Sequence, residues 1–291
     1  MRIAELGEFG LIKTLAGVLP KAPAGIKGIG DDTAVLPYTK DQHLLLTTDM
    51  MAQDVHFTLK MDAAAIGHKA LACNISDIAA MGGVPTYAVV SLGLPVTTPV
   101  AWVKRVYQGM AKTAKAFGVS VVGGDTIKSK QVMINVALLG EVKKTHLTLR
   151  CGAKPKDWVF VTGPLGGSLK SGRHLTFTTK VKQAQFLVKQ FKPSAMLDIS
   201  DGLAGDLNHL LKASQVGVKL WLDAIPLHAG VGIQEALADG EDYELVFTLN
   251  PKDAAQLMHQ QFKQRMFDFF PIGEIVKDKS KLVHVNSYTH F

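Results

Sequence analysis

The sequence predicts a mixed fold in two parts, an α/β domain followed by an α+β domain. Three observations lead there. Strand-like and helix-like runs alternate through both halves. The pattern breaks between Arg150 and Asp157, at Gly152-Ala153-Lys154-Pro155. A chain of 291 residues, 47% hydrophobic, can bury more than one small core. The expected domains are residues 1–150 and 151–291.

The elements follow in order. Leu6 to Leu19 reads as a helix ended by Pro20, and a Gly-rich stretch leads to a strand at Thr33 to Leu36. His43 to Thr48 predicts a strand with Thr47-Thr48-Asp49 at its end. Ala63 to Met81 is an Ala-rich helix stopped by Gly82-Gly83, and Tyr87 to Leu94 is a strand ended by Pro95. Val100 to Phe117 predicts a helix capped by Gly118. Val119 to Val122 reads as a buried strand delivering Gly123-Gly124-Asp125, and Gln131 to Leu139 as the next strand.

Beyond the break, Trp158 to Thr162 predicts a strand feeding the loop Gly163-Pro164-Leu165-Gly166-Gly167-Ser168. Val181 to Gln190 reads as a helix, and Ala195 to Ile199 as a strand ending in an acid pair. Then come a helix at Leu203 to Ala213, a strand at Val218 to Leu222, and a short helix at Ile233 to Ala238. A strand at Tyr243 to Leu249, a helix at Pro251 to Gln264 and two weak strands close the chain.

The net charge of +7 raises the question of nucleic-acid binding. The basic residues are spread thinly, however, with no stripe of interleaved aromatics, so they fit a solvated surface that draws in anionic substrates. Cys73 and Cys151 match no metal spacing, and a reducing compartment is expected. The N-terminal segment carries Glu5 and Glu8 and lacks a long apolar core, so a cytoplasmic protein without signal peptide or membrane span is expected.

Against that basic background, aspartates recur in short Gly-, Ser- or Thr-bearing turns: Gly30-Asp31-Asp32, Thr47-Thr48-Asp49, Gly124-Asp125-Thr126 and Asp198-Ile199-Ser200-Asp201-Gly202. Most follow strand-like runs, so a fold can gather them. Hydroxyl and carboxylate oxygens held together suit hard cations that leave other positions to phosphate and water. Taken alone, Asp201 also fits a helix N-cap. Asp77 lies mid-helix on a face shared with Asn74 and Cys73, and burying it requires a partner, either a cation or a structural hydrogen bond. The Gly163 to Ser168 loop reads equally as an anion nest or as a plain strand-to-helix turn, since it lacks the Gly-Lys-Ser/Thr ending of a P-loop. His56 and Arg150 stand near these turns. No Ser-His-Asp set, zinc spacing or dinucleotide fingerprint supports a rival chemistry.

Taken together, Gly28-Ile29-Gly30-Asp31-Asp32, Thr47-Thr48-Asp49, the run Lys69 to Gly82, Gly123-Gly124-Asp125-Thr126, Asp198 to Leu203 and Gly240-Glu241-Asp242-Tyr243-Glu244-Leu245 resemble the thiamine-monophosphate kinase family. The resemblance runs in order along essentially the whole chain. It implies an architecture like aminoimidazole-ribonucleotide synthetase, with N-terminal strands pairing across a homodimer, and ATP bound through several Mg²⁺ ions. Asp32, Thr47, Thr48, Asp49, Asp77, Asp125, Asp198 and Asp201 would hold the metals. Tyr107, Gly124, Asp125, Arg150 and Ser200 would meet ATP, and His56, Glu241 and Tyr288 would meet thiamine monophosphate.

The chain lacks the reactive Cys of a selenophosphate synthetase and the terminal Cys of the related hydrogenase-maturation protein. It departs from many family members in two places. Phe191-Lys192-Pro193-Ser194-Ala195 runs almost directly into the second acid pair, and Asp239 stands where Gly is usual. The implied reaction is phosphoryl transfer from ATP to thiamine monophosphate. Another ATP-dependent activity of the superfamily, a non-catalytic Mg-nucleotide sensor and a basic nucleic-acid binder are the alternatives.

Overall fold

A computed structural model of the chain describes residues 2–264 and 266–285. It opens with α1 (Ile3–Val18), kinked where Gly7 takes a φ of 64°. There follow β1 (Ala34–Pro37), β2 (Gln42–Ala52), α2 (Ala63–Ala80), β3 (Val84–Leu94), α3 (Val100–Phe117), β4 (Ser120–Lys128) and β5 (Met133–Lys143). These strands form a sheet in the order β1-β2-β5-β3-β4. β3 and β4 run parallel through the α3 crossover, and the other neighbours are antiparallel.

The second half contains β6 (Trp158–Val161), α4 (Ser168–Ser171), α5 (Val181–Gln190), β7 (Ala195–Asp198), α6 (Leu203–Ser214) and β8 (Gly217–Leu220). α7 (Ile233–Ala238), β9 (Leu245–Leu249), α8 (Pro251–Gln264) and β10 (Phe270–Val276) complete it. Its sheet is antiparallel, in the order β7-β9-β6-β10-β8.

The Ala-rich α2 is the structural centre. Asp62 caps it by accepting a hydrogen bond from Ala65 N. Ile66, Leu71, Ile75 and Ile78 are fully buried in the first core, each stabilising by roughly 2 kcal/mol. Gly67 and Gly109 let α2 and α3 approach backbone to backbone. A Cβ on Gly67 would fall 1.8 Å from Val106 O, and one on Gly109 1.8 Å from Ala64 O. The C-terminal half of α2 reaches the second sheet, where Ser76 Oγ donates to Asp198 Oδ2 at 2.6 Å. One rigid helix therefore carries polar side chains to the seam between the two sheets.

Four expectations require correction. Thr47-Thr48-Asp49 lies inside β2 rather than at its end, because β5 pairs with all of β2 through Ala52. β1 covers only His43 to Leu46 on the other edge, so the triplet still faces an open edge. β4 is exposed along its whole length and contains Gly123-Gly124-Asp125 rather than delivering them, since it is an edge strand with one neighbour. Gly202, with a φ of 101°, occupies the α6 cap position expected for Asp201, while Asp206 Oδ2 accepts from Asp201 N. Finally, β10 is the single terminal strand among the described residues. Among those residues, no helix is long and apolar enough to cross a membrane.

Candidate active site

Chain register assembles the site. Asp31 and Asp32 immediately precede β1, whose Ala34 lies opposite Leu46, so the acid pair arrives beside Thr47 and Thr48. Asp77 comes from α2 and Asp198 from the end of β7; Ser200 and Asp201 follow in the turn before α6. With Asp206 and Arg150 these residues line a cleft of about 520 Å³, roofed on one side by Glu8, Phe9 and Ile12 of α1. Phe9 packs against His209 of α6 with ring centroids 4.4 Å apart.

Asp31, Asp32, Asp77 and Asp198 each hold a local partner. Thr47 Oγ1 donates to Asp77 Oδ2 at 2.5 Å, giving Asp77 the partner its burial requires. Asn74 Oδ1 accepts from Asp49 N at 3.1 Å, fixing β2 against α2. Arg150 Nη2 donates to Asp32 Oδ1 at 2.5 Å, and Arg150 N donates to Asp31 Oδ1 at 3.1 Å. Thr48 also lines the cleft, and its hydroxyl donates to Val136 O of β5 at 3.1 Å.

The cleft strongly disfavours uncompensated negative charge. Loss of water pushes Asp32 up to about 8, with Asp198 and Asp31 adding repulsion that Arg150 only partly offsets. Burial and the charges of Glu241 and Asp201 push Asp49 up to about 6. Burial, opposed by the Ser76 hydrogen bond, leaves Asp198 at about 6. Asp77 rises well above the ordinary range through burial and the neighbouring Asp49, Asp198 and Asp32. Asp32 Oδ2 is buried without a hydrogen-bond partner. Oxygen donors that repel one another, one of them unsatisfied, fit hard cations. Among the described residues no three His, Cys, Asp or Glu side chains form a metal-holding group as they stand. Arg150, Thr47 and Ser76 instead hold Asp32, Asp77 and Asp198.

A second cavity, about 210 Å³, opens beside the first and shares Glu8, Asp49, Ser200 and Asp201 with it. His56, Lys69, Cys73, Glu241 and Tyr243 complete its wall with Met50 and Met51. Backbone geometry places Glu241. Its N–H donates to Ser200 O at 2.7 Å, its φ is 68°, and Gly240 fits only because a Cβ there would lie 2.4 Å from that same oxygen. His56 Nδ1 accepts from Ala52 N at 3.1 Å, orienting the ring. Cys73 Sγ donates to Tyr243 Oη at 3.0 Å, and Tyr243 stacks on Phe177 with centroids 3.9 Å apart.

Asp32, Thr47, Thr48, Asp49, Asp77, Asp198, Asp201, Arg150 and Ser200 therefore meet in the larger cleft, and His56 and Glu241 in the smaller. Gly124, Asp125 and Tyr107 do not line either cleft of their own chain. In register, Asp49 faces Val136, Val136 faces Val90, and Val90 faces Gly124. Three strand spacings, about 14 Å, thus separate Asp49 from Gly124. Tyr107 lies on α3, over a third exposed. Tyr288 falls outside the described residues. The Gly163 to Ser168 loop behaves as a plain turn whose amides are already satisfied: Gly166 N donates to Asp242 Oδ2 and Gly167 N to Asp239 Oδ2. This gives the unusual Asp239 a structural role.

Sequence reading assigned no role to Glu8, Lys69, Cys73, Asp206 or Tyr243 at these cavities, and named Asp31 only as a member of its acid turn. The spacing Lys69, Cys73, Asp77, four residues apart on one helix, was the available signal for two of them.

Residues 30–142 match the N-terminal domain of AIR synthase related proteins, and residues 156–286 the C-terminal domain. The thiamine-monophosphate kinase of Aquifex aeolicus is 37% identical, over 87% of this chain and 89% of its own length. That of Bacillus subtilis is 32% identical, over 96% of this chain and 94% of its own. A solved structure of AaThiL complexed with AMPPCP and TMP superposes with a TM-score of 0.88 at 34% identity, covering 100% of this chain and 99% of that one.

Proposed function

Because this chain belongs to the thiamine-monophosphate kinase family, we propose that it transfers the γ-phosphoryl group of ATP to the phosphate of thiamine monophosphate, giving ADP and thiamine diphosphate. The observation that carries this reading is the pair of joined cavities. One is ringed by acids and the other by His56, Lys69 and Glu241, and Asp49, Ser200 and Asp201 stand where they meet. ATP with its metal ions would fill the larger cleft and the acceptor the smaller.

Asp32, Thr47, Thr48, Asp49, Asp77, Asp198 and Asp201 are the proposed Mg²⁺ ligands. Bound there, Mg²⁺ would neutralise phosphate charge and hold donor and acceptor oxygens in line. Ser200 reaches the junction, and Arg150 is placed to exchange an aspartate for a phosphate oxygen. His56 and Glu241 would orient the acceptor, whose cationic ring suits the Glu241 carboxylate. The acceptor phosphate is mostly dianionic at neutral pH, its second pKa being about 6, so no side chain need remove a proton. The chemistry of these residues is then positioning and charge compensation.

The proposed assembly is a homodimer. β4 is exposed throughout, β2 is open from Thr47 onward, and Leu46, Met50, Tyr87, Val89, Val122 and Ile127 leave apolar surface uncovered on this sheet. A second copy laying β4 beside that open edge would bring Asp125 of the partner subunit to the metal cleft.

Release of ADP with thiamine monophosphate, compared with thiamine as the acceptor and with Mg²⁺ omitted, tests the proposal. ADP release that needs both the monophosphate and Mg²⁺ is the expected result. ATP binding without acceptor-dependent ADP release would indicate a nucleotide sensor instead.

A further inference from the structure

Lys69 is an unusual lysine. It is 1% exposed on the best-buried helix of the protein, yet it lines the smaller cavity. Its ammonium meets Glu241 Oε2 at 2.5 Å and lies 3.5 Å from His56 O. Burying a lysine is costly, and one carboxylate satisfies only part of its donor capacity. Among the described residues lining this cavity it is the single Lys or Arg, facing Glu8, Asp49, Asp201 and Glu241.

Helix geometry relates this charge to the larger cleft. Lys69, Cys73 and Asp77 stand four residues apart on α2, so they share one face. Eight residues of helix separate the lysine from Asp77, about 12 Å. Asp77 lies at the metal end of that face and Lys69 at the acceptor end, with Asp49 of β2 between them and electrostatically coupled to both. A polyphosphate crossing the junction would therefore run along this face from one charge to the other.

We propose that Lys69 binds and positions the phosphoryl acceptor by contacting its phosphate, a role that rests on the function proposed above. The acceptor carries a phosphate dianion at one end and a cationic ring at the other. The Lys69–Glu241 pair presents the complementary charges side by side, so each partner gains a second counter-ion when the acceptor enters. Lys69 supplies positive charge from the acceptor's own side, and Glu241 stays anchored while it faces the ring. The ATP cleft does not include Lys69 among its lining residues, which separates its role from donor binding.

The test compares wild type with Lys69→Met, which keeps the length and removes the charge, and Lys69→Arg, which keeps the charge. KM for thiamine monophosphate, KM for ATP and the melting-temperature rise with Mg-ATP are measured for each. The Met variant is expected to raise the acceptor KM by roughly 30- to 100-fold, the range of a lost charged hydrogen bond. Its ATP KM and its Mg-ATP thermal shift should stay within threefold and within 1 °C of wild type, and the Arg variant should recover at least tenfold of the acceptor loss. Equal increases in both KM values, or an Arg variant no better than Met, would overturn the proposal and leave Lys69 a structural partner of Glu241. Should the Met variant fail to fold, Lys69→Gln takes its place with the same readouts: a loss confined to the acceptor KM supports contact, and an unchanged acceptor KM or an equal rise in the ATP KM refutes it. Wild-type enzyme that releases no ADP with thiamine monophosphate would instead overturn the function itself.

Discussion

Arg150 Nη2 sits 2.5 Å from Asp32 Oδ1, so a proposed nucleotide contact and a proposed metal ligand are hydrogen-bonded to each other. The consequence is testable by removing the cation. Arg150→Met leaves Asp32 buried beside Asp31 and Asp198, and should cost about 3 kcal/mol at alkaline pH. Asp32 already titrates near 8 with Arg150 present, and without it higher still. Below that pH both proteins carry a protonated Asp32. The melting-temperature deficit should therefore widen as pH rises through 8, and a deficit that shrinks with rising pH would contradict the assignment.

The acid cluster also makes a signed prediction for the wild type. Asp49 and Asp198 are raised to about 6 and Asp32 to about 8, all above the ordinary carboxylate range of an unfolded chain. Groups raised in the folded state stabilise it at acid pH, and that contribution is lost as pH climbs through their folded values. The metal-free protein should thus melt progressively lower between pH 5 and pH 9. Mg-ATP at a hundredfold excess over its dissociation constant should restore about 2.7 kcal/mol, or about 5 °C. Scanning calorimetry at pH 6 and pH 8 with one fixed Mg-ATP concentration checks this, with the larger rise expected at pH 8, where more of the carboxylates are ionised.

The separation of Asp125 from Asp49 gives a genetic test. Asp49→Asn and Asp125→Asn should each lower kcat by at least about 100-fold with folding intact. If Asp125 of the partner subunit completes the cleft, a mixed dimer of the two variants holds one intact site. Exchange of subunits between the two inactive proteins should then restore about a quarter of wild-type activity. No recovery after verified exchange would place Asp125 in its own chain's site.

Gly67 and Gly109 lie where α2 and α3 touch, and each faces a carbonyl of the other helix. Gly67→Ala or Gly109→Ala should force the helices apart and cost about 3 kcal/mol, near 6 °C in melting temperature. Gly17→Ala is the control, because a Cβ there meets nothing within 4 Å in α1. Its melting temperature should hold or rise slightly.

Much of this was legible in the sequence. The bounds of α3, α5, α7 and α8 followed from periodicity and from stops such as Gly118, because those signals are local. The convergence of Asp32, Asp49, Asp77 and Asp198 was foreseen from repeated acid turns and family motifs. Strand neighbours were not. The stretch Val119 to Val122 that opens β4 is as apolar as a buried strand, and nothing in it reveals a sheet edge. The same ignorance of strand order hid the gap between Asp125 and Asp49. Lys69 escaped notice because its meaning depends on Glu241, 172 residues later, whose placement rests on the Gly240 turn against Ser200.

The central claim is that these separated carboxylates jointly hold a metal-bound triphosphate. Isothermal titration of ATP into the protein, with Mg²⁺ and then with the metal removed by chelation, addresses it most directly. Micromolar-range binding with Mg²⁺ that weakens at least 100-fold on chelation, and that is likewise lost in Asp49→Asn, is the predicted outcome. ATP binding of the same strength with and without the divalent ion would contradict it.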